Sequence, residues 1–270
     1  MSQYWTSEEE HELRSLHASG VPLLITTKAL CRSYKATSIK AHKLGLMFVR
    51  PDRRKVNEHA FRHMTPDTAW LLGLLFADGC WGGAKTSVHL TSVDEDLVTQ
   101  MRDILDSDYP IERRDPTTMA GCKGKRTQFR LCLNSRAMID SLSDLGIPRL
   151  KSERAVFPPM DPDLLHHFIR GYWDGDGGVS AQGHAYVAGP ILLMERLHRH
   201  LIGEGIIPGR IYHPKQCKSI ATFHIMRRPE LIKLHRYLYS DATRFCHRKR
   251  EIWDRIISDT LQRVVVKKNA

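Results

Sequence analysis

The chain has 270 residues, in which 41 Lys and Arg stand against 30 Asp and Glu, so the net charge is +11 with histidines neutral. This excess disfavours an acidic-surface enzyme or an acidic small-molecule binder and favours a polyanionic partner. The longest apolar run, 69–77, is too short for a membrane-spanning helix, which needs about 20 residues. The six cysteines form no C-x-x-C pair, which disfavours a zinc site. We therefore expect a cytoplasmic protein with reduced thiols, no secretory signal and no membrane partner.

Residues 1–48 predict three short helices. Thr6 is placed as an N-cap with Glu9 as its capping-box partner, and Gly20 can end this first helix. The second helix is predicted over 25–31 and the third over 37–44. Side chains suited to phosphates and base edges follow in the third: Lys35, Ser38, Lys40, His42 and Lys43. The pattern indicates a helix-turn-helix module that binds DNA. A small bundle whose charged face only meets water is the alternative.

Residues 49–64 form a basic stretch with Pro51 and little apolar periodicity. Five Lys and Arg, among them Arg53 and Arg54, stand here against two acidic residues. We interpret the stretch as a linker that can follow a phosphate backbone. A plain solvated tether would have the same composition.

The rest of the chain contains an internal repeat. The segment LLGLLFADG at 71–79 aligns with IRGYWDGDG at 169–177 at an offset of 98 residues. The matched pairs are Gly73 with Gly171, Ala77 with Gly175, Asp78 with Asp176 and Gly79 with Gly177. We therefore predict two units of about 98 residues, 65–152 and 153–270, the second ending in a basic helix.

Each motif closes an apolar helix, and its two small residues lie four positions apart, so two such helices can approach closely. Face to face, the helices would bring Asp78 and Asp176 side by side. Neighbouring carboxylates repel unless a cation lies between them, and Mg²⁺ takes carboxylate ligands. Together with the basic charge, this indicates metal-assisted hydrolysis of phosphodiesters. The alternative is that each Asp-Gly pair is only a C-terminal turn.

The two motifs resemble the signature motifs of monomeric LAGLIDADG homing endonucleases, and the resemblance covers about 65–255. Similar phrases are LGIPRLKS at 145–152 and YLYSDATRFCHRKREIW at 237–253. The resemblance implies an α+β fold of two pseudo-symmetric αββαββα repeats, with the motif helices at the interface and two sheets over double-stranded DNA. It implies a monomer with Mg²⁺ or Mn²⁺ at Asp78 and Asp176, together with Gly79 and Gly177. The first motif departs from the family at Phe76, where an acid is common, whereas the second retains Asp174.

Alternating polar residues on predicted strands are candidates for reading the DNA. In the segment 127–134, Phe129, Leu131 and Leu133 are expected to face a core, with polar residues opposite. The candidates are Lys85, His89, Gln128, Arg130 and Asn134 in the first unit, and Thr222 and His224 in the second. A half-buried sheet with one wet face is the alternative.

Lys151 and Lys249 each follow their motif aspartate by 73 residues. In the family such a lysine often lies in the active site, where an ammonium stabilises developing negative charge. A phosphate contact outside the chemistry, or an exposed lysine of a basic helix, is the alternative.

These features predict a site-specific double-strand DNA endonuclease of the kind used in intron homing, in which each motif aspartate mainly serves one strand. Two other functions on the same fold remain open. One is a DNA-binding transcription regulator without activity, and the other is an intron RNA maturase.

Overall fold

The computed structural model describes residues 4–48, 54–82, 85–116, 126–146, 157–180, 182–215 and 219–268. The chain divides into two compact units, Met1–Arg54 and Lys55–Ala270. None of the described helices is both long enough and apolar enough to span a bilayer.

The first unit consists of α1 (Ser7–Ala18), α2 (Leu23–Ala29) and α3 (Tyr34–Lys43). The predicted capping box is confirmed, because Thr6 Oγ1 accepts from Glu9 N and the Glu9 carboxylate accepts from Thr6 N. The helix α3 begins three residues earlier than predicted, since Ser33 Oγ accepts from Ala36 N and caps it there. Leu13, Leu30 and Ala41 form a small core of their own.

The first repeat of the second unit has the predicted αββαββα order. Its elements are α4 (Pro66–Ala77), β1 (Cys80–Gly82), β2 (Lys85–Ser92), α5 (Glu95–Ile104), β3 (Ile111–Arg114), β4 (Gln128–Asn134) and α6 (Arg136–Asp144). The strands form an antiparallel sheet in the order β1-β2-β4-β3, which we call the first sheet. Val88 and Leu90 pair with Leu133 and Leu131, and all four are fully buried.

The second repeat follows the same order with one reduction. Its elements are α7 (Pro162–Asp176), β5 (Gly177–Ser180), β6 (His184–Pro190), α8 (Ile191–Gly203), β7 (Ile220–Ile225), α9 (Arg228–Tyr239) and α10 (His247–Lys268). The second sheet has the antiparallel order β5-β6-β7. Where the first repeat has β3, the described residues hold an isolated bridge from Tyr212 to Thr222. Pro208 and Pro214 bracket this bridge, and a proline has no N–H for a ladder.

The motif helices α4 and α7 lie at the centre of the second unit. Residues 68–76 of α4 and 167–174 of α7 are buried. The inner faces of both sheets and the helices α5, α6, α8 and α9 contribute to the same apolar cluster. This arrangement leaves the outer faces of the sheets available to a partner.

Part of the predicted linker packs on this core. Ala60 and Phe61 are buried in it, Asn57 N donates to Leu105 O at 2.8 Å, and Asp108 N donates to Lys55 O at 3.1 Å. Residues 55–64 are therefore not a solvated tether, because their apolar side chains Ala60 and Phe61 are buried in the core of the second unit. The rest of the stretch, including Arg53, lies outside the described residues except for Arg54, which is exposed.

Candidate active site at the end of the paired helices

Glycines allow the two motif helices to touch along their backbones. A Cβ atom at Gly73 would lie 1.9 Å from Phe168 O, and one at Gly171 would lie 1.8 Å from Trp70 O. These two contacts are related by the offset of 98 residues, so they are a pseudo-twofold pair. Gly73 and Gly171 therefore lie at the contact between the two helices, since no side chain fits at either position.

The contact continues to the C-terminal ends of both helices. A Cβ atom at Gly175 would lie 2.2 Å from Ala77 Cβ and 3.4 Å from Asp78 Oδ2. Asp78 therefore lies beside the residue that precedes Asp176, and both aspartates are exposed. Ala77 and Gly175 therefore lie in the contact between the helices, and the closeness of the helix ends places Asp78 and Asp176 near each other.

Tyr172 lies under the two aspartates. Its hydroxyl proton is shared between Ala188 O, at 3.0 Å from Oη, and the carboxylate of Asp176. Burial raises the pKa of Tyr172 well above its usual value, and the charges of Asp176 and Asp78 raise it further. The phenol thus stays protonated and is a hydrogen-bond donor at the floor of the site.

The two aspartates fit a divalent cation. Both offer exposed carboxylate oxygens at one helix-end junction, and hard cations such as Mg²⁺ prefer oxygen ligands. Gly177 is also predicted to contribute to the metal site, and in the structure its carbonyl accepts a hydrogen bond from Lys249 Nζ at 2.6 Å. Gly79, which directly follows the first aspartate, is buried.

Lys249 lies at the end of α7, where its ammonium contacts four backbone carbonyls. Nζ donates to Trp173 O at 3.1 Å, Asp174 O at 2.6 Å, Gly175 O at 3.0 Å and Gly177 O. Lys249 is only 7% exposed, so burial lowers its pKa, and Asp174 and Asp78 oppose this shift. A cation here complements the negative end of the helix dipole. Its predicted partner by repeat, Lys151, lies outside the described residues.

Asp174, the acid that only the second motif retains, is buried. Its Oδ2 accepts from Trp70 Nε1 at 2.9 Å and from Cys246 N at 3.1 Å, and Tyr239 Oη donates to its Oδ1 at 3.4 Å. Burial raises the pKa of Asp174 to about 6. The acid therefore links α4, α7 and the segment before α10. The available signal was the asymmetry with Phe76, which packs edge-on against Phe168.

One further cluster could suggest a metal site in the described part of the chain. His166, His167 and Asp241 present three ligand atoms within 4.8 Å of one another. However, Arg170 donates to His167 Nδ1 at 2.8 Å, so the neutral ring carries its proton on Nε2, the atom facing Asp241. Burial and the charge of Arg170 lower the pKa of His167 to about 4. This cluster is thus a hydrogen-bonded structural group.

The candidate DNA-reading residues occupy the outer faces of the sheets. The register places them opposite the buried rows, and the set with described side chains is His89, Gln128, Arg130, Asn134, Thr222 and His224. Lys85 begins β2, and its side chain is outside the described part of the structure. Phe129, Leu131 and Leu133 pack on the core as predicted.

The basic residues of α3 differ in their surroundings. Lys35 and Lys43 are exposed, as is expected of residues that contact phosphates. Lys40 instead forms an ion pair with Glu10, and its Nζ lies 5.9 Å from the ring centre of Trp5. Arg32 and Glu9 form a second such pair at 2.7 Å. Lys40 is therefore engaged within the helical unit, because α1 supplies a row of glutamates beside it.

Comparison with known proteins gives matches among solved structures. No protein-family model matches the chain, and no curated protein matches it. The structure is similar to that of I-DmoI in complex with DNA and Mn, with 18% identity, a TM-score of 0.46, and coverage of 66% of this chain and 98% of that one. It is similar to the LAGLIDADG meganuclease I-AabMI bound to uncleaved DNA, with 12% identity, a TM-score of 0.47, and coverage of 74% of this chain and 92% of that one. It is also similar to the I-LtrWI LAGLIDADG homing endonuclease bound to target DNA, with 11% identity, a TM-score of 0.45, and coverage of 76% of this chain and 97% of that one.

Proposed function

We propose that the chain is a monomeric LAGLIDADG homing endonuclease that cuts both strands of a specific DNA site. The observation that carries this proposal is the junction of α4 and α7, where two exposed aspartates emerge from one close backbone contact. One chain contains both repeats and therefore both aspartates. A single copy is thus sufficient for a two-strand cut.

Asp78 and Asp176 would hold the divalent metal, Mg²⁺ or Mn²⁺, with Gly79 next to the first of them. When bound, such a metal activates water and neutralises the charge that develops on the phosphate. Each aspartate mainly serves one strand. Tyr172, whose hydroxyl proton is shared between Ala188 O and the Asp176 carboxylate, would help to keep that carboxylate in place. Lys249 donates to the carbonyls of Gly175 and Gly177, which flank Asp176, so we assign it the role of positioning this end of α7.

Binding would come from the two sheets and the basic ends of the chain. The outer faces of the sheets would lie in the major groove, which admits strands and displays a distinct pattern for each base pair. The helices α1 to α3 would act as a helix-turn-helix that extends the footprint, with Lys35 and Lys43 on phosphates. Positive charge at both chain ends would add affinity that weakens with salt.

The proposal is tested by selecting sites from a pool of randomised duplexes with the full chain in Ca²⁺ and then adding Mg²⁺ or EDTA. We expect one class of sequence to be enriched and to be cut on both strands in Mg²⁺ only. Enrichment without cutting in Mg²⁺ or Mn²⁺ would overturn the enzyme and favour a transcription regulator. Tighter binding to a structured intron RNA than to any duplex would favour a maturase.

A further inference from the structure

The outer faces of the two sheets carry different chemistry. On the first sheet, Arg130 pairs with Glu112, and Gln128 pairs with Arg114 in the next outward row. Asn134 lies at the exposed end of β4. Arginine makes paired hydrogen bonds to guanine, and Asn and Gln make them to adenine. The first sheet therefore has the donors that read purines directly.

The second sheet lacks these groups at the outward positions of its described strands. Its outward rows are Gly178 with Tyr186 and His224, Ser180 with His184, and Ala188 with Thr222, to which the bridge adds Tyr212. None of these positions holds a Lys, Arg, Asp, Glu, Asn or Gln. The hydroxyl of Thr222 donates to Val187 O at 2.9 Å, so its one proton is used within the sheet.

Tyr186 dominates this face. It is 43% exposed, and its ring centre lies 5.8 Å from that of His224. The ring also lies flat over Gly178, where a Cβ atom would come within 2.2 Å of Tyr186 Cζ. Two glycines follow Asp176. The second, Gly178, has no side chain and so leaves room for the ring of Tyr186 against β5.

We infer that the second sheet recognises a thymine-rich half-site through the C5 methyl groups, with Tyr186 as its main specificity-determining residue. This inference rests on the proposed DNA-binding function. The thymine methyl is the one apolar feature that a base pair presents in the major groove, and Ala, Thr and aromatic side chains contact it. The first sheet would read purines in the other half-site through Arg130 and Gln128.

The test compares sites selected in Ca²⁺ by the wild-type chain with those selected by Tyr186→Ala. We expect the variant to lose preference for thymine at a few positions in one half-site. Tyr186→Phe keeps the ring and should keep the preference. Gly178→Ala should lose it, because the added methyl displaces a side chain that is free to move while the fold remains. Arg130→Ala is the matched control and should relax a purine preference in the opposite half-site.

Deoxyuridine then isolates the methyl group. Replacing each affected thymine by deoxyuridine should weaken wild-type binding about fourfold per methyl, the effect of losing one buried carbon, and should not weaken binding of Tyr186→Ala. A preference for G·C pairs under Tyr186, or equal affinity for thymine and deoxyuridine, would overturn the inference while leaving the nuclease proposal intact. A pool without any enriched sequence would instead overturn DNA-site recognition itself.

Discussion

At the scale of single residues, the ammonium of Lys249 holds four carbonyls together at the end of α7. Replacing Lys249 by Met removes the ammonium from these four acceptors, of which Trp173 O still accepts from Gly177 N, and we expect the free energy of unfolding to fall by about 3 kcal/mol. Because Gly175 and Gly177 flank Asp176, the Mg²⁺ concentration for half-maximal cleavage should also rise. Urea unfolding and a metal titration measure the two effects.

Lys233 offers a matched control for this variant. Its Nζ also donates to a backbone carbonyl, that of Gly205 at 2.8 Å, and to Glu230 at 3.2 Å, but Lys233 is half exposed and its hydrogen bonds do not go to the motif helices. Lys233→Met should cost less than about 1 kcal/mol and leave the metal titration unchanged. A Lys249→Met protein with the wild-type Mg²⁺ midpoint would contradict the positioning role.

Asp174 predicts a specific pH dependence of stability. Its folded-state pKa of about 6 lies above the ordinary 3.8, so the folded protein binds this proton more tightly than the unfolded chain does. The resulting stabilisation is complete below pH 3.8 and is lost as the pH rises through 6. Asn at this position can accept from Trp70 and Cys246 without titrating. Between pH 7 and pH 4, wild type should therefore gain about 2 kcal/mol relative to Asp174→Asn.

Urea unfolding of both proteins at several pH values measures this difference. His167, with a pKa lowered to about 4, changes stability in the opposite direction, but it is present in both proteins and cancels. Stability curves of wild type and Asp174→Asn that run parallel from pH 7 to pH 4 would be inconsistent with a buried, titrating Asp174.

At the scale of elements, the contact between α4 and α7 depends on glycine. Gly73→Ala or Gly171→Ala places a methyl within 2 Å of a backbone oxygen of the other helix, and a backbone cannot move aside as a side chain can. We expect a loss of more than about 3 kcal/mol in the free energy of unfolding, or failure to fold. Thermal and urea unfolding measure it.

Gly203, the last residue of α8, is the control for these substitutions. A Cβ atom there would meet nothing within 4 Å, so Gly203→Ala should be neutral or stabilise by up to about 1 kcal/mol. If alanine were tolerated equally at Gly73 and at Gly203, the helices would not be in backbone contact.

The motif helices could be predicted from the sequence because a local pattern of small and apolar residues determines their contact, and this pattern occurs twice. Gly73 and Gly171 match at a constant offset, and small residues on one helical face have a direct geometric consequence. The strand rows around Leu131 and Phe223 followed from alternation for the same reason. Local pattern was sufficient wherever periodicity alone decides which side of an element is buried.

Tertiary contacts decided the rest. No spacing shows that Lys249 points at the carbonyls of a helix 72 to 76 residues away, or that Lys40 is held by Glu10 of another helix. The apolar residues Ala60 and Phe61 were too few to show a period, yet one buried turn needs only two such residues. Two prolines reduced the expected strand near Tyr212 to a bridge, which periodicity in β7 could not reveal.

At the scale of the whole molecule, duplication gives two similar halves with different tasks. Both repeats contribute one aspartate to one junction, which suits a cut in two antiparallel strands. The second repeat alone carries the buried acid at its sixth motif position, and the outer face of its sheet holds Tyr186 in rows without Lys, Arg, Asp or Glu. A site with two unlike halves is the substrate that such a molecule fits.

Cleavage is proposed to depend on the paired aspartates Asp78 and Asp176. Asp78→Asn and Asp176→Asn keep the size of the side chain and should each lower double-strand cleavage of the selected site in Mg²⁺ at least about 100-fold, with binding in Ca²⁺ largely retained. Asp144→Asn is the control, since Asp144 is also an exposed aspartate at a helix C-terminus. It should cut as wild type does. Wild-type rates of double-strand cleavage by both motif variants would contradict the account.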